Sequence, residues 1–210
     1  MAHRINRRSA TKALLAAAAS GSLLPQTVFS QPASTPPNDG DPVVARVLTT
    51  QIHSSQKKDL GQIVFSTLLN RYAKDKGLSA SEAEIRQLRL KIFAGASADL
   101  PGKGVRPPEP DELVKMESEM ARDLIVAWKR NLALFRMYGG RVAFQQTGPE
   151  PIDAYKAFLE EQQGLGAFEI VDKSLEPGFW RYFTSEKYTF ISSTKEEGEA
   201  VLRKPLWESQ

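Results

Sequence analysis

The sequence contains no cysteine, which excludes disulfides, a thiol nucleophile, and zinc or iron–sulfur sites built on sulfur. Histidine is nearly as scarce: His3 and His53 are the only two in 210 residues. No apolar run reaches the roughly 18 residues that a membrane span needs, which excludes a multi-pass membrane protein. Acidic residues are missing altogether from residues 1–30, where Arg4, Arg7, Arg8 and Lys12 stand. The net charge of +3 therefore belongs to that segment; the remaining chain holds 24 basic and 25 acidic residues. A phosphate-binding surface requires a retained basic patch. The local clusters Lys57-Lys58 and Arg86/Arg89/Lys91 read instead as solvated helix faces, and no nucleic-acid partner is expected.

What is present is an ordinary globular composition, 41% hydrophobic and 25% charged with a mean hydropathy of −0.37. It suits one domain with appendages. The first appendage has the order of an export signal: a basic stretch to Lys12, a short apolar run from Ala13 to Leu24, then Val28 and Ser30 as small residues before a cut. Cleavage is expected after Ser30, with Ala33 as the second choice. Arg7-Arg8 with Lys12 partly resembles a twin-arginine signal, and a Sec signal fits as well; either implies a bacterial envelope and a periplasmic location. Residues 31–42 hold four prolines and no large apolar side chain, and read as a disordered linker. The folded part is expected to be a single domain, residues 43–210.

That domain reads as mainly α. Val43 to Leu48 is a short β-branched run and predicts a strand. Leu60, Ile63, Val64, Leu68, Leu69 and Tyr72 recur at helical spacing until Gly77. Ser79-Ala80-Ser81-Glu82 reads as a capping box before a helix burying Ala83, Ile85, Leu88, Ile92 and Phe93. Residues 95–110, rich in glycine and proline, predict a long loop of the kind that often carries function. A long helix over 111–138 follows, with a stripe that includes Leu113, Met116, Met120, Leu124, Trp128, Leu134 and Phe135, and with Asn131 as a structural amide within it. Gly139-Gly140 stops it. Pro149 or Pro151 starts a further helix that ends at Gly164-Leu165-Gly166. The aromatic-rich segment from Phe168 onward reads as irregular, with short helices near 179–183 and 194–203 and an extended run at 188–191.

Residues with obvious chemistry are few. His53, lying between a strand and a helix, reads as a cap or surface residue, with no nucleophile-elbow motif to make it part of a triad. Glu150/Asp153 and Glu160/Glu161 are the candidate carboxylate pairs, and Glu150 beside two prolines reads as a charge at a helix N-terminus. Gly102-Lys103-Gly104 is too short for a phosphate loop, and no Asp-x-Asp pattern suggests calcium. No catalytic residue, metal or cofactor is expected. Phe179-Trp180-Arg181-Tyr182-Phe183 places large side chains on consecutive positions, which cannot all face inward on one helix. Phe179, Trp180, Tyr182 and Phe183 are therefore the candidate polypeptide-binding residues. Tyr138, Arg141, Phe144, Gln145, Gln146 and Glu150 form a second candidate, a small-ligand or enzyme pocket if their polar groups converge.

The stretch from Val43 to Phe93 resembles the N-terminal region of SurA-like periplasmic chaperones and parvulin-type foldases. The likeness is carried by the strand Val44-Ala45-Arg46-Val47 and by Leu68 to Ser79, a helix closing in lysine, glycine, an aliphatic and serine before Ser81-Glu82-Ala83-Glu84-Ile85. The chain departs from the pattern in having Leu48-Thr49-Thr50-Gln51 in place of an Asn-Gly turn, and in lacking the parvulin domain and its histidines. The resemblance implies a helical SurA-N-like domain with one or two short strands and chaperone-like client binding without prolyl isomerase activity. A separate stretch, Tyr138 to Gln146 followed by Gly148-Pro149-Glu150-Pro151, is similar to a segment of exported proteobacterial proteins and implies no activity. The expectation is a periplasmic holdase whose partner is unfolded polypeptide or an envelope protein; the other expectations are the 138–151 pocket and a structural subunit of an envelope complex.

Overall fold

The computed structural model describes residues 40–93, 109–145, 148–192, 194–205 and 207–208. The expected leader with its Ser30 cut, residues 31–39 of the expected linker, 95–108 of the expected loop, and Gln146 lie outside the described residues. Within them the chain is mostly helical, with two small antiparallel sheets of three strands each.

Strand β1 (Val43–Val47) turns through Leu48 and Thr49 into β2 (Thr50–His53), a strand whose polar composition hid it from the sequence reading. The turn is made without glycine, Leu48 itself adopting φ +50°. β1 is the middle strand, with β5 (Phe168–Ile170) antiparallel on its other edge. An irregularity between Val43 and Ala45 breaks the alternation, so Val44 and Ala45 are both buried. The end of the expected linker is part of the fold: the Pro42 carbonyl accepts the Ser54 amide at 2.9 Å, and the Asp41 carbonyl lies 2.8 Å from His53 Nδ1.

Helix α1 (Leu60–Asp75) buries Leu60, Ile63, Val64, Phe65, Leu68 and Leu69. Their spacing of three and four residues places them on one face, which joins the inner side of this sheet in the main core. Helix α2 (Glu82–Phe93) is capped two residues later than the sequence suggested: Glu84 N donates to Ser81 Oγ at 3.3 Å, and Ser81 N donates to Glu84 Oε2 at 2.8 Å. The reason is that Glu84 also holds Lys129 of the neighbouring helix at 2.8 Å, which a cap built on Glu82 would forgo.

Helix α3 (Pro110–Tyr138) is the long element that ties the molecule together. Its Ala121, Leu124, Ile125 and Trp128 pack on α2 and Trp207 in a second core. Farther along, Leu134 enters the main core and Phe135 packs with Val142 and Leu202 in a third. The apolar stripe was read too far toward the N-terminus. Met116 and Met120 are 49% and 38% exposed, and the inward place is taken by Glu117, which meets Arg89 of α2 at 3.3 Å.

After Gly139 and Gly140 the second sheet forms in the order β4-β3-β6 from β3 (Val142–Gln145), β4 (Gly148–Glu150) and β6 (Phe190–Ser192). Helix α4 (Ile152–Gly164) buries Tyr155, Phe158 and Leu159 in the main core. Helix α5 (Glu176–Thr184) follows a single helical turn at Lys173–Leu175, and α6 (Lys195–Leu202) is capped by Thr194 accepting from Glu197 N. The segment after Phe168 is thus more regular than its composition suggested.

Candidate functional site

The aromatic run folds as α5, and the helix sorts its side chains by angle. Phe179 and Phe183, four residues apart, are 6% and 4% exposed. They are core residues, so the candidate polypeptide-binding set divides: a helix of nine residues can place i and i+4 together against the sheet and α1. Trp180 and Tyr182 are half-buried and Arg181 is exposed. Trp180 packs edge-on against Phe179 with ring centroids 5.0 Å apart.

Between α5 and the start of α1 lies a cleft of about 460 Å³. Its apolar walls are Leu60 and Phe65 from α1 and Phe179, Tyr182 and Phe183 from α5. Phe65 and Phe183 pack against one another at its edge, 5.5 Å between centroids. The rim carries Lys57, Lys58 and Arg181, all exposed. Gly61 and Gly178 also border the cleft. Neither has a left-handed φ, and a Cβ on either would meet nothing within 4 Å. Glycine inside a helix costs up to about 1 kcal/mol relative to alanine, and here no backbone requirement calls for it. What the two glycines provide is space.

Behind the aromatic wall is a buried polar network. Tyr182 Oη donates to Glu150 Oε2 at 2.7 Å, and Tyr188 Oη donates to the Tyr182 carbonyl at 2.7 Å. Tyr155 Oη donates to Asn131 Oδ1 at 2.6 Å, and Asn131 Nδ2 donates to the Pro149 carbonyl at 3.3 Å. Arg130, 6% exposed, lies under the influence of both Glu150 and Tyr155, and its Nε finds no hydrogen-bond acceptor. Burial lowers the Arg130 pKa, against the pull of Tyr155 and Glu150. Burial, then the Glu150 carboxylate, drives the Tyr182 and Tyr155 hydroxyls far above the ordinary phenol range. Phe65 packs edge-on against Tyr155 at 4.8 Å, so the network and the cleft share a wall. Glu150 is thus a buried acceptor on β4, rather than the helix-terminal charge that its prolines suggested.

The described residues among those proposed for a pocket at 138–151 do not converge. The Tyr138 hydroxyl donates to the Glu161 carboxylate. Arg141 grips Asp153 through Nε (3.0 Å) and Nη2 (3.0 Å), reaches Glu186 at 3.2 Å, and stacks over the Phe190 ring at 4.4 Å. Gly140 makes that grip possible, since at φ +93° a Cβ would sit 2.3 Å from Asp153 Cβ. Phe144 is 39% exposed, and Gln145 Nε2 is buried without a partner. The carboxylate pairs separate for the same reason: Glu150 turns to Tyr182, Asp153 to Arg141, Glu160 to Lys156 and Glu161 to Tyr138. Among the described residues no group of three or more His, Asp or Glu could hold a metal ion, and no helix is long and apolar enough to cross a membrane.

Sequence reasoning missed the part played by Lys57, Lys58 and Arg130. The signal for Arg130 was there: it stands three residues after Ala127 and four before Leu134, inside the apolar stripe. Compared with known proteins, the chain matches no protein-family model, and no curated protein or solved structure aligns with it significantly.

Proposed function

We propose that the chain is an exported, periplasmic polypeptide-binding protein that works as a holdase without prolyl isomerase activity, in keeping with the SurA-like pattern of residues 43–93. The observation that carries this reading is the cleft between α1 and α5, walled by Phe65, Phe179, Tyr182 and Phe183 and kept open by Gly61 and Gly178. Its volume of about 460 Å³ lies in the range in which protein clefts take up ligands. Apolar side chains of an unfolded client gain the usual transfer free energy on entering it, about 25 cal/mol per Å² of apolar surface removed from water.

The test is aggregation suppression by the purified full chain with an unfolded outer-membrane β-barrel protein as client. Suppression near stoichiometric amounts is expected, and it should be lost in Gly61→Leu and Gly178→Leu, whose side chains fill the cleft. Both substitutions also raise helix propensity, so loss of activity will come with equal or greater stability. A well-folded wild-type chain that suppresses nothing, or plugged variants that suppress as well as wild type, would overturn the reading.

A further inference from the structure

We infer that the segment held in the cleft is acidic: an apolar or aromatic side chain flanked by carboxylates. The inference rests on the reading of the cleft as the polypeptide-binding site. It comes from the distribution of charge around that site. Lys57 and Lys58, in the turn before α1, and Arg181 on α5 stand on opposite walls of the same opening. No aspartate or glutamate is among the described residues that line it. Asp59, exposed beside Lys58 at the start of α1, is the acid next to the rim in sequence; two others nearby face other groups. Asp172 lies close enough to Lys57 to feel its charge, but accepts Ser174 N at 3.0 Å and Ser174 Oγ at 2.7 Å. Glu176 is engaged by Gln163 at 3.3 Å and Lys173 at 3.8 Å.

Beyond residue 30 the chain carries one more acid than base, so three cations around one apolar opening depart from the balance of the body. Placed over a low-dielectric wall, they raise the local potential and attract anionic groups. The geometry suits two-part recognition. An apolar side chain lies in the opening against Tyr182 and the edges of the packed Phe65 and Phe183 rings, and carboxylates on either side of it in the client reach Lys57 and Lys58 on one wall and Arg181 on the other. Arg181 offers a planar fork for bidentate pairing, and the lysines act as point charges. A client segment rich in lysine or arginine is repelled by the same rim, which gives selectivity among apolar segments.

The experiment measures binding of three labelled peptides to the full chain by fluorescence anisotropy. Each has a Phe-Leu-Phe core, flanked by Asp and Glu, by Ser and Asn, or by Lys and Arg. The acidic peptide is expected to bind about tenfold more tightly than the neutral one, the effect of two exposed ion pairs of ordinary strength. The basic peptide should bind more weakly still. Raising salt from about 0.05 M to about 0.5 M should erase most of the difference, as should Lys57→Gln/Lys58→Gln/Arg181→Gln, while Gly178→Leu should abolish binding of all three. Equal affinity for acidic and neutral peptides, with Gly178→Leu still blocking both, would overturn the charge selectivity and leave the cleft reading intact. Binding that is absent, or indifferent to Gly178→Leu, would overturn the cleft reading itself.

Discussion

Tyr182 donates its hydroxyl to Glu150 Oε2 at 2.7 Å while its ring borders the cleft between α1 and α5. One side chain thus belongs to both the candidate binding surface and the buried network of Arg130, Asn131, Glu150 and Tyr155. The helix carrying the aromatic wall is fastened to β4 by a polar contact as well as by packing.

Removing that contact tests the fastening. Tyr182→Phe keeps the ring and leaves a buried carboxylate short of a donor, so it should cost about 1–3 kcal/mol of stability. Urea denaturation followed by circular dichroism measures it. An unchanged midpoint would mean that Glu150 is satisfied without Tyr182.

Arg130 and Glu150 are both 6% exposed, and a buried charge left alone is expensive. Arg130→Met should destabilise the chain by about 3–5 kcal/mol, and adding Glu150→Gln should recover a large part of that loss. Denaturation of the two singles and the double variant gives the coupling directly. Strictly additive losses would show that the two groups do not act on one another.

Gly198, on α6, faces Phe135. An added Cβ would lie 2.4 Å from Phe135 Cζ and 3.1 Å from Val142 Cγ2. Alanine is the better helix former by about 1 kcal/mol, yet overpacking this core should cost about 1–3 kcal/mol. Gly198→Ala is therefore expected to lower the melting temperature, and Phe135→Leu in the same chain to restore part of it. A melting temperature raised by Gly198→Ala alone would refute the close approach.

Asp153 supplies a pH dependence. Burial pushes its pKa up, but the hydrogen bonds and charge of Arg141 outweigh this and hold it below the usual 3.8. A carboxylate with a depressed folded-state pKa contributes stability that is fully present above its unfolded value and is lost as pH falls through the folded one. The contribution should begin to fall near pH 3.8 and be lost progressively below it. Asp153→Asn should be less stable than wild type at neutral pH and lose less on acidification. Denaturation midpoints at pH 7 and in the acid range measure both.

The helices were legible because burial on a helix repeats every three to four residues. Leu60 to Leu69 and Ile85 to Ile92 announce their inner faces by spacing alone. Of the second sheet only β6 was legible, as part of the extended run expected at 188–191; β3 and β4 were not. Those two are four and three residues long, too short to display a period of two, and Gly148-Pro149-Glu150 has no β-forming residue in it. The aromatic run pointed to the right helix, but neighbours in sequence cannot show which rings turn inward. Phe179 and Phe183 do so because α1 and the first sheet lie on that side.

By itself, then, the sequence determined the mainly helical class, the places where helices stop at Gly77 and Gly139, and the absence of cysteine chemistry. These are local properties, set by side-chain periodicity, backbone freedom and composition. Tertiary structure alone decided that Lys57, Lys58 and Arg181 share one rim although more than a hundred residues part them. It also decided that Arg130 and Glu150 are both buried where each feels the other's charge, and that Tyr138, Arg141 and Glu150 turn to separate partners. Those outcomes depend on which helix faces pack together, and packing of distant faces has no signature in any single stretch of chain.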